Sequence, residues 1–153
     1  MTLGTLLPAW PALLFGYLEP AVVLKAWYDA TTIPHTFTLA QDPTPRSSTT
    51  PLNPATAVVS YSLGNLYLVL ALFAVLVVHI NRDPRVTKFY LFFLAIGDLG
   101  HLVSFYRALG EDVFWDWSRW NEMVWGNIVA TMFLFVNRLS TLAGVFGRVG
   151  GRR

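Results

Sequence analysis

Apolar residues fall into four long runs, separated by stretches rich in polar residues, Pro and Gly. The runs cover 5–28, 54–80, 84–109 and 121–146. At about 1.5 Å per residue each is long enough to cross a bilayer core as a helix. The breaks carry helix-start chemistry. Asn53-Pro54 and Asp83-Pro84 pair an N-cap with proline at the first helical position. Gly110 is suited to close the third helix. Within the first run Pro20 is interior, so its ring should displace the carbonyl of Gly16 and kink the helix. The pattern predicts an all-α fold, a four-helix transmembrane bundle in a single domain.

The two longer breaks differ in character. Residues 29–53 are rich in Thr, Ser and Pro with no apolar period, and read as a non-cytoplasmic loop, mobile or folded over the bundle. Residues 111–120 combine three Trp with acids and one Arg, the composition of an interfacial segment. Lys and Arg set the orientation. Arg82, Arg85 and Lys88 lie in the turn between the second and third runs, and Arg148, Arg152 and Arg153 in the tail. Both groups are expected on the cytoplasmic side, and an even number of spans brings the N-terminus there too.

Composition sharpens the class. Hydrophobic residues make up 54% and charged residues 13%, about half the charged share of a soluble domain. A net charge of +2 with no basic stripe gives no footing for nucleic acid. The chain has no cysteine, which excludes disulfides, thiolate zinc sites and thiol nucleophiles. No phosphate-binding loop, dinucleotide fingerprint, nucleophile elbow or zinc-protease motif is present, and neither a metal nor an organic cofactor is implied.

The chemistry must then come from polar residues inside the apolar runs, where each is expensive. Asp98 and His101 share one face of the third helix. Counted inward from the non-cytoplasmic ends, Glu19 lies about 13 Å deep, Asp98 about 16 Å, His101 about 12 Å, Asn65 about 16 Å and Asn127 about 9 Å. Five polar groups from four helices thus fall in one slab. Glu19 and Asp98 read as acid or base, because a carboxyl among apolar groups tends to keep its proton, and His101 reads as a relay. Asn65, Asn127, Tyr61 and Trp125 read as substrate-positioning groups below a Trp-lined mouth. Such a site suits double-bond isomerisation, epoxide opening or polyene cyclisation.

Plainer readings exist for each residue. Asp98 and His101 can satisfy each other, and Asn65 and Asn127 can serve as interhelical glue. The Trp cluster can anchor the chain at the interface. Arg138 is expected to snorkel to the cytoplasmic surface, and His79 to be structural. Gly97 and Gly100, flanking Asp98, suggest close approach of a neighbouring helix.

The motifs GYLEP, NRDP, GDLGH and WGN resemble small fungal four-span membrane proteins of unassigned function. That resemblance implies a setting in secondary metabolism and the endoplasmic reticulum. The topology is also similar to the EXPERA group of sterol isomerases and sterol binders, a likeness of architecture that carries no residue roles. The expected function is a membrane-embedded, cofactor-independent acid–base enzyme of the isomerase, cyclase or epoxide hydrolase type. Its partners would be a hydrophobic small molecule, the bilayer, and pathway enzymes or a second copy. The alternatives are a lipid or sterol binder and a structural membrane protein.

Overall fold

A computed structural model describes residues 4–44 and 51–151. Residues 45–50 of the expected loop, and Arg152 and Arg153 of the basic tail, lie outside the described residues. The described chain is helical, without strands. Helix α1 is continuous in three pieces: Ala9–Leu13, a π-helical turn Leu14–Leu18, and Glu19–Thr32. A short α2, Pro34–Ala40, follows at once. Then come α3 (Pro54–Ile80), α4 (Pro84–Leu109), α5 (Glu111–Phe114), a 3-10 turn Trp117–Arg119, and α6 (Glu122–Leu142).

Helices α3, α4 and α6 are each long and apolar enough to cross a membrane, consistent with a multi-pass membrane protein. Helix α1, carrying Glu19, Pro20 and Lys25, is not one of the three. The outward faces hold Val59, Leu72, Phe73, Phe89, Phe93, Met132 and Val136, all exposed and apolar. Lipid accepts such faces at no cost, whereas water does not.

The long helices start alike. Asn53 accepts a hydrogen bond from Ala55 N–H, Asp83 from Arg85 N–H, and Asn121 from Val124 N–H. Each side-chain oxygen thereby satisfies a backbone donor that the first helical turn leaves unpaired.

The helices pack as two hairpins. In the first, α1 lies along α3 on a seam of small residues, Ser60, Gly64, Ala71 and Ala74. Ser60 Oγ donates to Ala30 O at 2.8 Å. A Cβ on Gly64 would lie 2.6 Å from Thr31 Cγ2 and 3.5 Å from Trp27 O, so only glycine permits this approach. In the second, α4 packs on α6. Gly97 and Gly100 face open space instead, and the close contacts expected there occur at Gly64 and Gly16.

Pro20 explains the broken first helix. Proline has no N–H to offer the carbonyl of Gly16, and its ring crowds that oxygen. The helix widens into the π turn, and Glu19 N–H reaches back to Leu14 O. His79 Nε2–H then donates to Gly16 O at 3.0 Å, taking up the orphaned acceptor. His79 itself sits in a second π turn, Leu76–Ile80, at the end of α3. A Cβ on Gly16 would stand 3.1 Å from that imidazole nitrogen, so glycine keeps the bond open.

The first and last described segments meet the α3–α4 turn at one end of the bundle. Gly150 N–H donates to Leu6 O at 2.8 Å, and Arg82 Nη1 donates to Gly4 O at 3.0 Å. The buried core, Leu7, Ala12, Leu14, Phe15, Val78, Leu91 and Val149, lies at this end and joins the hairpins. At the other end α2 forms a strap. It occupies the first part of the stretch expected to be loop, because Pro34 can start a helix and Phe37 is buried beneath it. Seven residues are too few to display a period. Asn121 Nδ2 holds the strap by donating to Ala40 O at 3.0 Å and Asp42 O at 3.3 Å.

Candidate functional site: a buried guanidinium between two carboxylates

Arg138 is 1% exposed, the largest side chain among the described residues to be so fully buried. This corrects the expectation that it snorkels to the surface. A buried guanidinium needs counter-charge, and two helices supply it. Arg138 Nη1 donates to Asp98 Oδ2 of α4 at 2.6 Å, and Nη2 donates to Glu19 Oε1 of α1. The two acids singled out in the sequence therefore meet, through a third residue that sequence reasoning set aside. One signal could have found it. Glu19, Asp98 and Arg138 are the charges furthest from polar breaks, and two acids without a base would be an improbable burden in lipid.

The surrounding side chains hold Arg138 in place. The Phe15 ring lies 5.2 Å from its Cζ, within cation–π range. Trp10 Nε1 donates to Asn137 Oδ1 at 2.8 Å, fixing the residue beside it on α6. Phe15 and Glu19, four residues apart across the π turn, share one face of α1 and both reach the same guanidinium.

Two polar atoms of the cluster have no hydrogen-bond partner among the described residues, Glu19 Oε2 and Arg138 Nε. Beside Glu19 is a void of about 30 Å³, lined by Pro20, Val23, Ala71, Ala74, Tyr90 and Leu94 among others. That is room for about one water molecule.

His101 does not join the cluster. Its imidazole packs on Phe105 at 5.0 Å and interacts with the Asn127 side chain. The expected Asp98–His101 pairing is thus replaced on both sides: Asp98 turns to the opposite charge on α6, and His101 to an amide. Asn127 Nδ2 donates to Met123 O at 3.0 Å and to Gln41 Oε1 of the strap end at 3.2 Å. Asn65 and Tyr61 lie on an exposed face of α3, away from the cluster. Trp125 is exposed and packs against Trp117 and Trp120 in the aromatic group at the strap end. Among the described residues no three acids or histidines converge as a metal site would require.

No curated protein and no solved structure matches the chain. One family model does, over residues 4–148, nearly the whole length. The chain belongs to that family, the domain of unknown function DUF7704.

Proposed function

We propose that the chain is a four-span integral membrane protein that performs acid–base chemistry on a hydrophobic metabolite. The observation carrying this reading is the single guanidinium shared by carboxylates from separate hairpins, with one oxygen of Glu19 left over beside a void. Two acids and one base leave a surplus negative charge when both acids are ionised. In apolar surroundings one proton cancels that surplus at small cost. The cluster is suited to hold one transferable proton, with Glu19 as the donor and Arg138–Asp98 as its electrostatic partner. Isomerisation of a double bond, epoxide opening and polyene cyclisation all begin with such a proton.

The fourth span is α1, about 36 Å long at helical rise and paired along α3. Arg82, Arg85 and Arg148 gather at the end where Gly4, Leu6 and Gly150 meet the α3–α4 turn, which supports a cytoplasmic location for that end. We place the chain in the endoplasmic reticulum only as what the resemblance to fungal four-span proteins implies.

A purely structural reading is favoured by the size of the void. About 30 Å³ admits a water and not a metabolite, so chemistry requires the helices to part around Pro20. Metabolite profiles separate the two. A native host lacking the chain is complemented with wild type or Glu19→Gln, at matched protein levels in the membrane. The acid–base reading expects a hydrophobic precursor to build up in the deletion and in Glu19→Gln, with product reduced on the order of 100-fold. A profile restored equally by Glu19→Gln and wild type overturns it and leaves a helix tie.

A further inference from the structure

A groove of about 570 Å³ opens at the strap end, well away from the buried cluster. Its walls are Gln41, Asp42, Pro43 and Thr44 after the strap, Ala108 and Leu109 at the end of α4, and Val113 and Arg119 from the segment beyond. That volume is in the range of small-molecule sites, and the lining mixes apolar walls with a few polar groups, as such sites do.

We infer that this groove is a binding site for an elongated amphipathic acid, an apolar chain ending in a carboxylate. The inference rests on the function proposed above only in taking the groove's occupant to be that enzyme's substrate on its way in. Ala108, Leu109, Pro43 and Val113 give the chain an apolar bed. Trp120 Nε1 donates to Val113 O at 2.9 Å and fixes that wall. Arg119 supplies positive charge. The opposing acid, Asp42, is already engaged: its Oδ1 accepts from Thr44 N–H at 2.9 Å, turning the carboxylate toward its own loop. A guanidinium in such a wall recognises a carboxylate by paired, charge-assisted hydrogen bonds.

The groove is also joined to the interior. Gln41 lines it and accepts from Asn127, and Asn127 in turn meets His101 one helical turn from Asp98. Along α4, Leu109 and Asp98 are about 16 Å apart. An extended apolar chain seated at Arg119 is therefore long enough to approach the acid cluster.

The test is direct binding to the full chain, purified in detergent micelles, with dansyl-undecanoic acid as probe. Trp115, Trp117, Trp120 and Trp125 cluster at this end and serve as energy donors to the dansyl group. Wild type should show saturable transfer. Ala108→Phe, which fills the groove, and Arg119→Gln, which removes its charge, should each weaken half-saturation by about tenfold or more. The methyl ester of the probe should bind as weakly to wild type as the acid does to Arg119→Gln. Gly97→Leu, whose side chain would enter open space away from the groove, should bind like wild type. Transfer that rises without saturation, or equal half-saturation in wild type and both groove variants, overturns the inference. Saturable, groove-dependent binding in a chain whose Glu19→Gln variant restores the metabolite profile would uphold the site and refute the enzyme, so the two failures are distinguishable.

Discussion

Arg138→Met is expected to be the most damaging single substitution in this chain. It leaves Glu19 and Asp98 facing each other without counter-charge, and the loss expected on breaking a buried pair is about 3–5 kcal/mol. Unfolding in mixed micelles, followed by Trp fluorescence as the denaturing detergent fraction rises, should show a much earlier midpoint. The cause can be isolated. Combining Arg138→Met with Glu19→Gln and Asp98→Asn removes all three charges, and most of the lost stability should return. A triple variant as weak as the single one would mean that Arg138 acts through its contact with Phe15 rather than through the two carboxylates.

Gly64→Leu should be the next most disruptive. Its Cβ alone would meet Thr31 Cγ2 at 2.6 Å, and the remaining side-chain carbons have nowhere to go on the α1–α3 seam. Overpacking of this kind costs about 1–3 kcal/mol, and more where the helix axes must separate. Separation would also pull Ser60 from Ala30 O. The matched control is Gly97→Leu, whose Cβ meets nothing within 4 Å and which should gain a little helix stability. The same micelle titration reads both. Equal midpoints for the two variants would mean that the seam is not a tight contact in lipid.

Much of this architecture is written locally. The starts at Pro54 and Pro84 follow from an Asx residue before a proline, a signal contained in two adjacent residues. The consequence of Pro20 for Gly16 is local as well, since the ring reaches only one turn back. What took up the freed carbonyl was not legible. His79 lies 63 residues further on, and only packing brings it there. The π turn is equally hidden. It adds a residue without a composition signal, so a 3.6-residue wheel drawn through 14–18 misphases the two sides of α1.

The candidate site was half legible for a related reason. Apolar context makes Glu19 and Asp98 conspicuous, because few carboxylates are tolerated there. Depth counted along the helices also groups them with His101, Asn65 and Asn127. Depth says nothing of azimuth, and azimuth divides these residues: Asn65 turns outward, and His101 and Asn127 look toward the strap. For Arg138, distance from the end of α6 alone permits snorkelling. Its direction is decided by two acids on other helices, which no single-helix argument can see.

The division of charge between the hairpins bears on how the protein is made. The second hairpin holds Asp98 and Arg138 together and is self-neutralised. The first holds Glu19, whose counter-ion resides on α6, which is made after both helices of that hairpin. A nascent chain halted after Asn81 would hold Glu19 without its guanidinium, while one missing its first hairpin would keep Asp98 and Arg138 paired. Orphaned first hairpins should therefore be the ones that membrane quality control removes, and a co-expressed second hairpin should rescue them by supplying the missing guanidinium.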